Sequence, residues 1–106
     1  MSSMDDREKG YERKFVLDEE TRFRATARRN KLLGLWAAEK LGKSGAEAEA
    51  YAREVVVADM EEAGDDDVLR KVKRDLDAGG VAQSDQEIRK TMDELMVVAI
   101  GQVNAS

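Results

Sequence analysis

Cysteine, histidine and proline are all missing from this sequence of 106 residues. Without cysteine there are no disulfides and no thiolate chemistry. Without histidine the commonest metal ligand, general base and near-neutral switch are gone, so any catalysis would rest on carboxylates alone. The adjacent Glu61 and Glu62 point to different sides of a helix and do not form an acid/base pair. The expectation is a protein with no catalytic residues, no resident metal and no cofactor. Aromatic residues are scarce at 5% (Tyr11, Phe15, Phe23, Trp36 and Tyr51). No apolar run reaches membrane-spanning length, and no basic stretch leads into an apolar signal core. The chain is therefore expected to stay in the cytoplasm without inserting into a membrane.

What the sequence does contain favours helix. Ala, Leu, Glu, Lys and Arg are plentiful, and nothing interrupts them in the way proline would. A hydrophobic content of 42% suffices for one core in a chain of this length. Charge is unevenly distributed, with residues 1–42 carrying +2 and residues 43–106 carrying −7, for a total of −5. An acidic total argues against general nucleic-acid binding, which depends on neutralising phosphates.

Punctuation divides the chain into four amphipathic helices. The first runs from about Glu19 to Leu41, with Phe23, Ala27, Leu33, Trp36 and Ala37 forming an inward stripe and Arg28, Arg29 and Lys31 largely opposite. Gly42 stops it. Ser44 and Glu47 have capping-box spacing, and Ala48, Tyr51, Ala52, Val55 and Val56 follow at helical intervals until about Gly64. A short helix over 66–77 carries Val68, Leu69, Val72 and Leu76 inward and stops at Gly79 and Gly80. Ser84 and Glu87 repeat the capping-box spacing and open a helix that faces inward through Ile88, Met92, Leu95, Met96, Ala99 and Val103. The fold expected is all-α, a four-helix bundle over 19–106 with a flexible N-terminal arm over 1–18. Its core includes Phe23, Trp36, Tyr51, Val55, Leu69, Val72, Ile88, Met92 and Leu95.

Several local patterns have a chemical and a structural reading. Gly42-Lys43-Ser44 resembles the tail of a phosphate-binding loop, but position 37 is Ala and a helix, not a strand, precedes it, so a junction between helices is the better reading. A helix start with exposed amides still leaves room for weak ATP or ADP contact. Asp65-Asp66-Asp67 lacks the alternation and turn glycine of a calcium loop and suits a helix N-terminus. Arg22, Arg24, Arg28, Arg29 and Lys31 make the one basic concentration, read as a solvated face or a protein-docking face. Trp36, beside Gly34, reads as core, with Gly34 letting another helix approach. Residues 1–18 are dense in both signs of charge and have too little apolar surface to fold alone. Met4, Tyr11 and Phe15 would nonetheless share one face if the arm became helical against a partner.

These residues carry a family resemblance. Asp5-Asp6-Arg7-Glu8-Lys9, Phe15, Asp18-Glu19-Glu20 and the run Arg28-Arg29-Asn30-Lys31-Leu32-Leu33-Gly34-Leu35-Trp36-Ala37-Ala38-Glu39 resemble the zeta-type inhibitor subunits of bacterial F-type ATPases. Ala50-Tyr51-Ala52, Val55-Val56, Asp59 and Glu61-Glu62-Ala63-Gly64 fit the same pattern, so nearly the whole chain is covered. Gly10 departs from it, since a helix former is expected there, and Met1-Ser2-Ser3 lengthens the tip. The resemblance implies a non-enzymatic, four-helix inhibitor, peripherally associated with the membrane-bound ATP synthase. Its N-terminal segment would insert as a helix into a catalytic alpha/beta interface and reach toward the rotor. ATP hydrolysis would be blocked while synthesis is largely spared.

Carried onto this sequence, the inhibitory segment spans about Met4 to Asp18. The partner-binding residues would be Met4, Tyr11 and Phe15 as apolar contacts and Asp5, Asp6, Arg7, Glu8, Lys9, Glu12, Arg13 and Lys14 as polar ones. The alternatives are a helical adaptor with another protein partner and a weak nucleotide sensor. Backbone NMR relaxation on the free protein is expected to give lower order parameters over Arg7–Lys14 than over the bundle. Equal values would contradict the flexible arm.

Overall fold

The computed structural model describes residues 19–61 and 64–105, so the arm expected over 1–18 lies outside the described residues. Within them the chain forms four helices: α1 (Glu19–Lys40), α2 (Ala46–Glu61), α3 (Asp65–Ala78) and α4 (Asp85–Ala105). The fold is all-α, as the periodicity predicts. α1 is the organising element, packing against α2, α4 and α3, while α3 also packs on α2 and α4.

The helix ends are built from the punctuation in the sequence. At the end of α1 the Gly42 amide donates to the Glu39 carbonyl at 3.1 Å and the Lys43 amide to the Ala38 carbonyl at 2.8 Å. This double closure needs a left-handed residue, which Gly42 supplies with φ +79°. α3 ends the same way, with Gly80 donating to Asp77 at 3.0 Å and Val81 to Leu76 at 2.8 Å. α4 opens with a complete capping box. The Ser84 amide donates to Glu87 Oε1 at 2.9 Å, and the Glu87 amide donates to Ser84 Oγ at 3.1 Å. Donation from the Ser84 amide, followed by that from its hydroxyl, holds the Glu87 carboxyl below its ordinary pKa. At the start of α2, by contrast, Glu47 donates its amide to the Ser44 carbonyl at 3.2 Å. The reciprocal side-chain bonds expected of Ser44 and Glu47 are not among the described ones.

The core joins all four helices: Leu33, Ala37 and Ala38 from α1, Tyr51 and Val55 from α2, Val68, Leu69, Val72 and Leu76 from α3, and Ile88 and Met92 from α4. Three of the expected core residues differ. Trp36 and Leu95 pack against this cluster while only partly buried. Phe23 is 65% exposed. The reason lies in the stripe of α1 that turns inward. The buried positions form two rows, Ala25-Arg29-Leu33, continued by Ala37, and Asn30-Gly34-Ala38; Phe23 has the phase of the second row but lies seven positions before its first member, near the start of the helix. The first row includes Arg29, expected on the solvent side and found 2% exposed.

α1 and α2 cross in near-contact. A Cβ placed on Gly34 would lie 2.6 Å from the Ala52 Cα and 3.1 Å from its Cβ. The obstacle is backbone, which cannot rotate away. Replacing Gly34 by Ala would normally raise helix propensity by about 1 kcal/mol. Here overpacking, which costs about 1–3 kcal/mol, should win. Gly34→Ala is therefore expected to lower the urea midpoint with little change in slope, and a more stable variant would refute the close crossing.

Candidate functional site

The residues that the sequence nominates for partner binding, Met4, Asp5, Asp6, Arg7, Glu8, Lys9, Tyr11, Glu12, Arg13, Lys14 and Phe15, lie outside the described residues. What is visible is the body to which that segment is attached, beginning at Glu19. Among the described residues no helix is long and apolar enough to cross a membrane.

The most constrained polar group in the body is Arg29. Its Nε donates to Asn30 Oδ1 at 3.0 Å, and its NH2 donates to Asp65 Oδ1 at 2.8 Å. Arg29 is 2% exposed and Asn30 1%. Asp65 opens α3, where the helix dipole also favours negative charge. The Arg29 guanidinium holds the Asp65 carboxyl below its ordinary pKa of 3.8, the bond to Arg29 outweighing partial desolvation. This pair ties the first half of α1 to the start of α3 across 36 positions of sequence. No described buried side-chain nitrogen or oxygen is left without a hydrogen-bond partner.

The other two aspartates of the acidic triplet also form ion pairs, Asp66 with Arg89 at 2.6 Å and Asp67 with Arg70. Asp66, Leu69, Arg70, Asp85, Gln86, Arg89, Lys90 and Asp93 line a shallow groove of about 630 Å³ between α3 and α4. Its charges alternate in sign, and the bonds to Asp66 and Asp67 use much of their capacity. On the opposite side of α3, Asp75 accepts from the Tyr51 hydroxyl at 2.8 Å and from Lys71 Nζ at 3.0 Å. Burial, followed by the bond to Asp75, pushes the Tyr51 phenol well above its ordinary value of 10.0. Tyr51 is thus an anchor between α2 and α3 and stays un-ionised.

The basic concentration of α1 divides in two. Arg29 turns inward, whereas Arg24, Arg28 and Lys31 line an open groove of about 390 Å³ with Phe23, Ala27, Val56 and Val103. Arg28 NH1 donates to Gln102 Oε1 at 3.2 Å, linking α1 to α4 at this groove. An adjoining hollow of about 300 Å³ is lined by Lys31, Glu49, Ala52, Arg53, Val56 and Val57. Sequence reasoning found the cations of α1 but missed the contributions of α2 and α4, which only the packing brings beside them. Gly42-Lys43-Ser44 lies in the link from α1 to α2, with a helix on either side, as the junction reading predicts.

The fold and these surfaces define a small all-helical protein that presents charged grooves between helices. Comparison with known proteins takes this further. The family described as ATPase inhibitor subunit zeta matches residues 1–102. The chain belongs to the ATPase inhibitor subunit zeta family, a regulatory family and not an enzyme, and its role is that of an ATPase inhibitor. Among solved structures, one determined by solution NMR is 57% identical with a TM-score of 0.69, over 78% of this chain and 94% of that one. No curated protein matches.

The Arg29–Asp65 pair gives a pH signature. Because the Asp65 pKa is depressed in the folded state, its contribution to stability is complete above the ordinary carboxylate value. It is lost as pH falls through the folded-state value. Asp65 is 52% exposed and Arg29 only 2%, so the cost of Asp65→Asn should fall below that of breaking a fully buried pair, at about 1–2 kcal/mol near pH 7. Urea melts are expected to show this gap at pH 7 and its progressive narrowing as pH falls below the ordinary carboxylate range. A gap that persists undiminished in acid would mean that ionisation of Asp65 is not what holds Arg29.

Proposed function

We propose that this protein inhibits an F-type ATPase by inserting residues 4–18 as a helix into a catalytic alpha/beta interface and toward the rotor. The four-helix domain over 19–106 stays outside, docks on the enzyme and limits how far the arm enters. Hydrolysis of ATP is stopped because the interface can no longer close through its cycle. The site of action is the cytoplasmic, peripheral part of the membrane-bound synthase.

The observation that carries this reading is the family match from the first residue to position 102, taken with a fold in which residues after Glu19 already supply one core shared by all four helices. Met4, Tyr11 and Phe15 are then free to serve a partner, with Asp5, Asp6, Arg7, Glu8, Lys9, Glu12, Arg13 and Lys14 supplying charge-assisted contacts.

The fold adds a physical reason why the arm can become helical on binding. Starting a helix is costly, because the first turn fixes several residues for one hydrogen bond, while extending one adds a bond per residue. α1 is an established helix beginning at Glu19. The arm would therefore only need to propagate α1 toward its N-terminus. With about 1.5 Å per residue, residues 4–18 would extend it by about 22 Å. Gly10 opposes that propagation by about 1 kcal/mol relative to alanine.

Deleting residues 1–17 is expected to abolish inhibition of ATP hydrolysis while leaving the melting temperature of the bundle nearly unchanged. Tyr11→Ala with Phe15→Ala should weaken inhibition by several kcal/mol, since truncated aromatic anchors commonly lose about 2 kcal/mol or more each. Hydrolysis and synthesis measured separately on the ATPase of the same species provide the check. Undiminished inhibition by the truncated protein would remove the arm from the mechanism.

A further inference from the structure

We propose that the face shared by the first half of α1, the middle of α2 and the end of α4 docks an acidic amphipathic helix of a protein partner. Phe23 and Val57 stand exposed there, at 65% and 48%. Between them lies the apolar floor of Ala27, Val56 and Val103. The two hollows adjoin through Lys31 and Val56, which line both, and so make one trough along α1 and α2. A trough between helices with apolar residues at its base is the shape that accepts the apolar stripe of another helix.

Charge decides what kind of helix. Arg24, Arg28, Lys31 and Arg53 rim the trough, and Glu49 is the one carboxylate among its lining residues. On α3 and at the start of α4, by contrast, cations are matched to carboxylates: Arg70 to Asp67, Lys71 to Asp75 and Glu54, Lys73 to Asp77, and Arg89 to Asp66. Among the described residues none of the four rim cations has a carboxylate partner. In a chain of net charge −5, a rim of this kind complements an acidic partner.

Other occupants suit it less well. A second copy placed face to face would set like charges against each other. Residues 1–18 carry nearly as many cations as anions, so they complement the rim poorly. RNA would need stacking platforms, and Phe23 is the sole aromatic in the trough. The proposal rests on the inhibitory reading above only for the identity of the assembly that bears the helix.

The test uses the full chain, labelled with 15N and titrated with a synthetic 20-residue helix of Leu and Glu. Amides over 23–31 and 53–57 are expected to shift together. The double variant Arg24→Glu with Lys31→Glu should weaken binding roughly tenfold or more with an unchanged melting temperature, and raising salt from 50 to 300 mM should weaken the unaltered protein in the same direction. Shifts confined to another surface, no saturable shift, dimerisation through this face, or tighter binding of a uridine 20-mer or of phosphatidylglycerol vesicles would each overturn it. The same double variant, assayed on the ATPase, separates this proposal from the arm mechanism. A tenfold loss of inhibitory potency places the acidic helix on that enzyme. Unchanged potency, together with loss of inhibition on deleting residues 1–17, overturns docking through this face while the arm mechanism stands.

Discussion

The near-contact of α1 and α2 at Gly34 and Ala52 is the constraint on which the rest of the fold depends. It brings two backbones so close that the crossing can hold only small side chains, and Ala37, Ala38 and Ala52 are all fully buried. Such a seam draws its strength from many close dispersion contacts, not from large apolar groups. Bulk must then come from the other side of the bundle. α3 and α4 provide it through Val68, Leu69, Val72, Leu76, Ile88 and Met92. The layout is thus a tight hairpin of α1 and α2, capped by two helices that contribute the larger side chains.

Within this frame the buried guanidinium of Arg29 selects one arrangement of α3. Arg29 can be sheltered from water only if an acceptor meets it, and Asp65 is that acceptor. A helix α3 that slid or rotated would leave a charge stranded in the core, at a cost greater than a typical lost apolar contact. The pair therefore fixes position more than it adds net stability. The surface follows another logic, since the cations of α3 are neutralised by nearby carboxylates while those rimming the α1–α2 trough are not.

Most of the fold was legible in the sequence because its punctuation is local. Gly42, Gly80 and the Ser84–Glu87 pair end or begin helices through bonds to residues within five positions, so spacing alone reveals them. The stripe of α3 was equally plain, with Val68, Leu69, Val72 and Leu76 all buried. The first half of α1 was misread for a physical reason. Phe23 keeps the phase of Gly34, as the periodicity suggests, but it sits near the start of α1, where it edges an open groove with Val56 and Val103 and stays 65% exposed. Arg29 was placed in solvent because its partner lies in another helix, and no local pattern announces a buried charge pair. The trough was half visible, since Arg24, Arg28 and Lys31 form a periodic set while Val56, Val57, Arg53 and Val103 join them only through packing. The residues assigned to the arm came from resemblance and amphipathic spacing, and they lie beyond what the described fold can place.

The close crossing also acts as an aiming device. From Gly34 to Glu19 the axis of α1 runs about 22 Å at 1.5 Å per residue, so a tilt of only about 10° at the crossing would swing the root of the arm by about 4 Å. A seam padded by long, adaptable side chains would tolerate that much play. One in which backbone meets backbone does not, and the Arg29–Asp65 tie restrains the same lever partway along its length. The bundle thereby holds the start of α1, at Glu19, in one fixed direction.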